Sequence, residues 1–130
     1  MKKTFFVSLA VVMSIISVPS FAHEHNIVGT YQCTGHDPYT PRDFTSTITI
    51  QKSGDVYSIT EGTTDNRADV AVGLVSGKVL ALAYQDKTLL SKVGVQAMRI
   101  KHHGKKLEGP WAQLGKSTVG SETCIKIAST

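Results

Sequence analysis

Few residues of this chain have the types and spacing that chemistry requires, and the sharpest group lies near its start. Residues Met1 to Ala22 read as a secretory signal peptide. Lys2 and Lys3 supply the positive start, Phe5 to Val18 the apolar stretch, and Pro19 a helix break. Ser20-Phe21-Ala22 supplies the small residues a signal peptidase reads. Cleavage after Ala22 leaves His23-Glu24-His25 with a free α-amine and a histidine in third place. The α-amine, the amides of Glu24 and His25 and the His25 ring then offer a square-planar set of nitrogens, which suits Cu(II) or Ni(II). The plainer account of the same residues is a polar leader that holds no metal. The apolar stretch falls short of the roughly 20 residues of a membrane-spanning helix, and no cysteine marks the cleavage point, so neither kind of stable membrane anchor is expected.

The chain has two cysteines, Cys33 and Cys124. In an exported protein they most simply pair, since their spacing is not that of a zinc knuckle. A bridge that closes most of the domain is worth about 4 kcal/mol in the chain-entropy account. Catalytic groupings are absent: the serines have no partnered base, and Glu108 and Glu122, which pairing of their strands would set face to face, more simply meet solvent beside Lys106 and Lys126. No enzyme activity is expected. The run Lys101-His102-His103-Gly104-Lys105-Lys106 concentrates positive charge for an acidic partner, more so as the histidines charge below about pH 6.5. Its plainer account is a solvated turn. The net charge is +4, of which Lys2 and Lys3 contribute two, too little to argue for nucleic acid.

The elements that would position these groups are strands. Ile27 to Cys33 reads as the first, and Thr34 to Arg42, with two prolines and a glycine, as a loop. Phe44 to Gln51 alternates, with Phe44, Ile48 and Ile50 on one face and threonines on the other. Ser53-Gly54-Asp55 turns into Val56 to Thr60, and Glu61 to Asn66 reads as a polar loop. Asp69 to Val75 and Val79 to Tyr84 flank a tight Ser76-Gly77 turn. Gly94 to Lys101, Lys106 to Gln113 and Gly120 to Ile127 complete the set. Pro110 cannot donate to a ladder, so a bulge or unpaired edge is expected there. In the last strand the apolar Ile125 and Ile127 share one face, which sets Glu122, Cys124 and Lys126 on the other. Cys124 is then expected outward, as a clasp on the rim or wall. The fold class that follows is all-β: an eight-stranded antiparallel meander, closed or nearly closed into a small barrel at residues 23–130, with first and last strands joined by the disulfide.

Gly29-Thr30-Tyr31 near the start, the eight-strand meander and Leu107-Glu108-Gly109-Pro110-Trp111 resemble the calycin-type barrels, the lipocalins and avidins. Tyr31 stands where lipocalins carry a tryptophan, and no binding residues transfer. Tyr31-Gln32-Cys33 also resembles the start of small exported bacterial lysozyme inhibitors, of whose inhibitory segments only Ser76-Gly77 is matched. The resemblance implies a binding barrel. Tyr31, Tyr57, Tyr84, Met98 and Trp111 are the large strand residues that would wall a site for a small apolar ligand, or else simply fill the core. The expected function is therefore that of a periplasmic or secreted, non-enzymatic binding protein for a partner protein or a small apolar molecule. Metal handling at the N-terminus and inhibition of an extracytoplasmic enzyme are the alternatives.

Titration of the processed protein with Cu(II) tests the first grouping. A visible d–d band of four-nitrogen copper is expected in the parent and not in His25→Ala; equal uptake by both removes the site.

Overall fold

Eight stretches of alternating side chains become eight strands in the computed structural model, which describes residues 26–63 and 68–129. They are β1 (Gly29–Asp37), β2 (Arg42–Ser53), β3 (Val56–Thr63), β4 (Ala68–Ser76), β5 (Val79–Asp86), β6 (Val93–Lys101), β7 (Lys106–Gln113) and β8 (Gly120–Ala128). Each pairs antiparallel with the next and β8 pairs with β1, so the sheet closes into a barrel. Residues 1–22, read as a signal peptide, and His23, Glu24 and His25 lie outside the described residues.

Local chemistry explains the strands. In β2, Ser46, Ile48 and Ile50 are buried while Thr45, Thr47 and Gln51 are exposed, and β-branched threonine suits the extended backbone of that outer face. The β2–β3 and β4–β5 hairpins turn at Gly54 and Gly77, whose φ values of 61° and 59° suit the first position of a two-residue turn. β1 runs on to Asp37, through residues expected in a loop. Gly35 lies under the Phe44 ring and Asp37 pairs with Arg42, so only residues 38–41 connect the strands. At Pro110 the β6–β7 pairing lapses opposite Ala97 and Met98 and resumes in the same register. Gly109 there lies against the Ala97 carbonyl, where a Cβ has no room. The bulge sits instead on the β1–β8 seam, between Thr30 and Tyr31.

The interior divides along its axis. At the end holding the β2–β3, β4–β5 and β6–β7 turns it is solid: Tyr31, Ile50, Tyr57, Leu80, Ile100 and Leu107 are buried together with Ile27. Tyr31 pins that end. Its hydroxyl donates to the Gly104 carbonyl at 2.6 Å, with the Ile27 carbonyl at 3.0 Å as a second acceptor. The Lys126 ammonium lies 5.4 Å from the Tyr31 ring centroid and donates to the Asn26 and Val28 carbonyls at 2.8 and 3.1 Å. The loss of water around it holds its pKa below the usual lysine range.

Cys33 and Cys124 are opposite each other on β1 and β8 and form the expected disulfide, but not as an outer clasp. Both are fully buried, while Ile125 and Ile127 are 48% and 60% exposed. Cys33 shares the inner face of β1 with Tyr31, and its register partner must look the same way. β8 therefore turns its isoleucines out, against the simple rule that the apolar face goes in.

Replacing both cysteines by alanine removes a bridge across 91 positions and leaves a hole in the core, so a loss of about 4 kcal/mol or more is expected in urea unfolding. A loss below about 1 kcal/mol would mean that the bridge constrains little.

Candidate functional site

Beyond the solid half, the barrel is hollow. A cavity of about 780 Å³ runs from a floor of Ile48, Ile59, Leu82 and Met98 to a rim formed by the β1–β2 connection and its strand ends, including His36, Asp37 and Arg42. Exposed His36 and Asp43, 2.9 Å apart, stand at this rim, so the cavity reaches solvent.

Three aromatic side chains line its wall, and each is seated on a glycine directly across the ladder: Phe44 on Gly35, Tyr84 on Gly94 and Trp111 on Gly120. A Cβ on any of these glycines would fall within 2.3 Å of the facing ring or its hydroxyl. The missing side chains let the rings lie back against the sheet, which leaves the space between them open. Trp111 meets Tyr39 and Phe44 edge-on, at centroid distances of 5.7 and 6.4 Å, and its indole N–H points at the Ser121 carbonyl, 3.4 Å away. The Tyr84 hydroxyl donates to the Ala112 carbonyl at 3.3 Å, and burial, then the neighbouring acidic groups, raises its pKa.

The opposite character comes from carboxyl groups. Glu61 of β3, Asp69 of β4 and Glu122 of β8 all line the cavity. Glu122 is 7% exposed, and burial first, then the charge of Glu61, pushes its pKa up to about 7. Glu61 is raised for the same leading reason. Lys92, which also lines the cavity, pulls it the other way with the smallest of the four effects acting on it. Glu122 Oε2 accepts a hydrogen bond from the Gln96 amide at 2.7 Å. Its Oε1 faces the Cys124 sulfur at 3.5 Å, but that sulfur is bonded to Cys33 and has no proton to give. The Ser46 hydroxyl, 3% exposed, lies near enough to both glutamates to favour their charged forms, yet completes no hydrogen bond of normal geometry.

Of the large residues singled out in the sequence, Tyr84, Met98 and Trp111 line the cavity, while Tyr31 and Tyr57 lie in the solid half. Glu122 does not meet solvent beside Lys126, nor does it face Glu108; the two glutamates stand on opposite sides of the sheet. Glu108 takes an ion pair from Lys101 and another from Lys106 at 3.1 Å, which hold its carboxyl below the usual range. The basic turn thus spends two of its charges on its own hairpin. His102, His103 and Gly104 form a short left-handed turn, with φ of 50°, 56° and 88°. Among the described residues, Cys33, Glu122 and Cys124 are the one set of three His, Cys, Asp or Glu side chains within metal-ligating reach of one another, and its sulfurs are held in the disulfide.

Outside the barrel, β4 to β7 present an uncharged strip in which Val72, Leu74, Val95 and Leu114 are each more than half exposed. No protein-family model and no curated protein matches the chain.

The buried glutamate links stability to pH. Glu122 binds its proton more tightly folded than unfolded, so the folded chain carries more protons between about pH 4.5 and 7. Stability from this group is full below that window and falls as pH rises through it, by on the order of 3 kcal/mol at most. In Glu122→Gln most of this decline should vanish, with Glu61 leaving a remnant. Urea unfolding at about pH 5 and about pH 8 reads the slope, and an unchanged slope in the variant would place the carboxyl in water.

Proposed function

We propose that this is an exported, non-catalytic binding barrel of calycin-like build that holds a small molecule in its hollow half. The cavity carries this proposal: about 780 Å³ lies within the roughly 300–1,000 Å³ of small-ligand sites. Its wall pairs aromatic and aliphatic surface with a few inward polar groups, which is the composition that binds and orients a small ligand. The glycine seats keep it open where larger side chains would close it. Export is supported by the leader at residues 1–22 and by a fully buried disulfide, a bond that persists in oxidising compartments. The wholly apolar ligand expected from the sequence gives way to an amphipathic one, because carboxyl groups share the wall with the rings.

The partner-protein alternative draws its support from the outer strip of β4 to β7 rather than from the basic turn. That strip is uncharged, so a second copy of the chain fits it face to face with no like charges meeting. Sedimentation would then show a dimer that Val95→Lys dissolves; a monomer at all concentrations removes this alternative.

Uptake of the neutral dye N-phenylnaphthylamine tests the cavity. The dye should brighten on binding and quench the single Trp111, and Ile48→Trp, which fills the floor, should abolish uptake. Val95→Lys on the outer strip should leave uptake unchanged. No uptake, or uptake lost only in Val95→Lys, would refute an interior site.

A further inference from the structure

The charge of the cavity wall narrows the class of ligand. Three carboxyl groups come from three different strands to the same hollow, and of the cations lining it Arg42 stands at the start of β2 and Lys92 just before β6. Glu122 is nine-tenths buried, and one of its oxygens faces a sulfur that cannot donate. Ser46, more deeply buried still, directs a hydroxyl at the same place without completing a hydrogen bond. A buried carboxylate oxygen without a donor, as Glu122 Oε1 is, is costly, and a bound cation that brings N–H groups removes that cost. The carboxyl oxygens of Glu61, Asp69 and Glu122 do not converge within ligating reach of one ion, since among the described residues that proximity occurs only around the disulfide. A larger cation, with several N–H groups spread over its head, matches such a spread-out set better than a bare metal ion. On the strands between and beside them, the rings of Phe44, Tyr84 and Trp111 offer π faces and edges for an apolar body or for the cation itself.

We propose that the cavity takes an organic ammonium compound, its charged head among Glu61, Asp69 and Glu122 and its apolar body against Phe44, Tyr84 and Trp111. This rests on the small-molecule function above and adds the chemistry of the ligand. The head donates to the free Glu122 oxygen and to Glu61, and Gln96 holds the Glu122 carboxylate in place from the other side. Lys92, Arg42 and Asp37 at the rim, with the His36–Asp43 pair, are the other charges near its path. Recognition of charge and recognition of shape thus come from different side chains interleaved around the barrel, and the two are separable by experiment.

Displacement of bound N-phenylnaphthylamine at about pH 8, where Glu122 is ionised, compares three probes of nearly one shape: phenethylammonium, phenethyl alcohol and phenylacetate. The ammonium should displace the dye at about tenfold lower concentration than the alcohol, the scale of one hydrogen bond to a charged group, and phenylacetate should be weakest. In Glu122→Gln the ammonium should fall to the level of the alcohol, while the alcohol and the dye bind as before. Dye uptake shows that the variant is folded; if it is not, Glu61→Gln takes its place. Equal displacement by ammonium and alcohol, stronger displacement by phenylacetate, or a preference that survives both substitutions would overturn the ammonium ligand and leave the small-molecule function standing. Failure of the parent to take up the dye would refute that function, and the inference with it.

Discussion

The bridge between Cys33 and Cys124 decides which face of β8 looks inward, and the character of the cavity follows from that choice. On area alone β8 would bury Ile125 and Ile127, each worth roughly 1.5–3 kcal/mol when fully buried. Both stay about half exposed instead. A disulfide between register partners requires both side chains on one side of the sheet, and Tyr31 and Cys33 already commit β1 to the interior. Strand geometry then carries the consequence two residues along: if Cys124 faces in, so does Glu122. A covalent constraint at the seam thus installs a buried carboxyl that hydrophobicity would have kept in water.

The two halves of the barrel divide the work. The solid half supplies stability, through apolar packing and the stitches of Tyr31 and Lys126 around residues 26–28 and Gly104. The hollow half gives up packing, because three ring–glycine pairs flatten the wall instead of filling the lumen. An eight-stranded barrel has an interior just large enough to be filled by its own side chains or to hold one small ligand. This chain does the first at one end and leaves a cavity of about 780 Å³ at the other. The site then stands on paired strands anchored to a rigid plug, which holds its polar groups in fixed directions.

Much of this was legible in the sequence. Alternation in β2 and the turn glycines gave strand count and order, and two cysteines in a chain read as exported gave their pairing. The end of β1 was hidden because Gly35, Pro38 and Pro41 look like loop chemistry. Gly35 is in fact a strand residue kept small by the Phe44 ring across from it. The acidic wall was hidden by treating charge as a sign of solvent. Yet Glu61 follows buried Ile59 by two, Gln96 precedes buried Met98 by two, and Glu122 precedes buried Cys124 by two. Period-two alternation carried one step past each apolar run names these three residues. The pairing of glycines with aromatics was not visible at all, because it depends on register between strands.

Protons and ligand compete for the same oxygens in such a site. In the free protein, burial and the mutual repulsion of Glu61 and Glu122 favour the protonated carboxyl, so near neutral pH the cavity is poised between charged and uncharged states. A cation among these groups reverses the balance: its charge stabilises the carboxylates and expels the protons they held. The same desolvation that makes the empty, ionised cavity costly makes each ion pair inside it stronger than one at the surface. The affinity of the proposed site for an ammonium group should therefore weaken with falling pH, as the carboxyls take up protons and no longer attract it. The solid half has no part in this exchange, since Tyr31 and Lys126 are engaged with backbone carbonyls at the far end of the barrel. The disulfide meets both regions, with its sulfurs packed in the core and one of them against Glu122. Opening that bond would free β8 to turn Ile125 and Ile127 inward, which would remove Glu122 from the cavity and the proposed cation site with it.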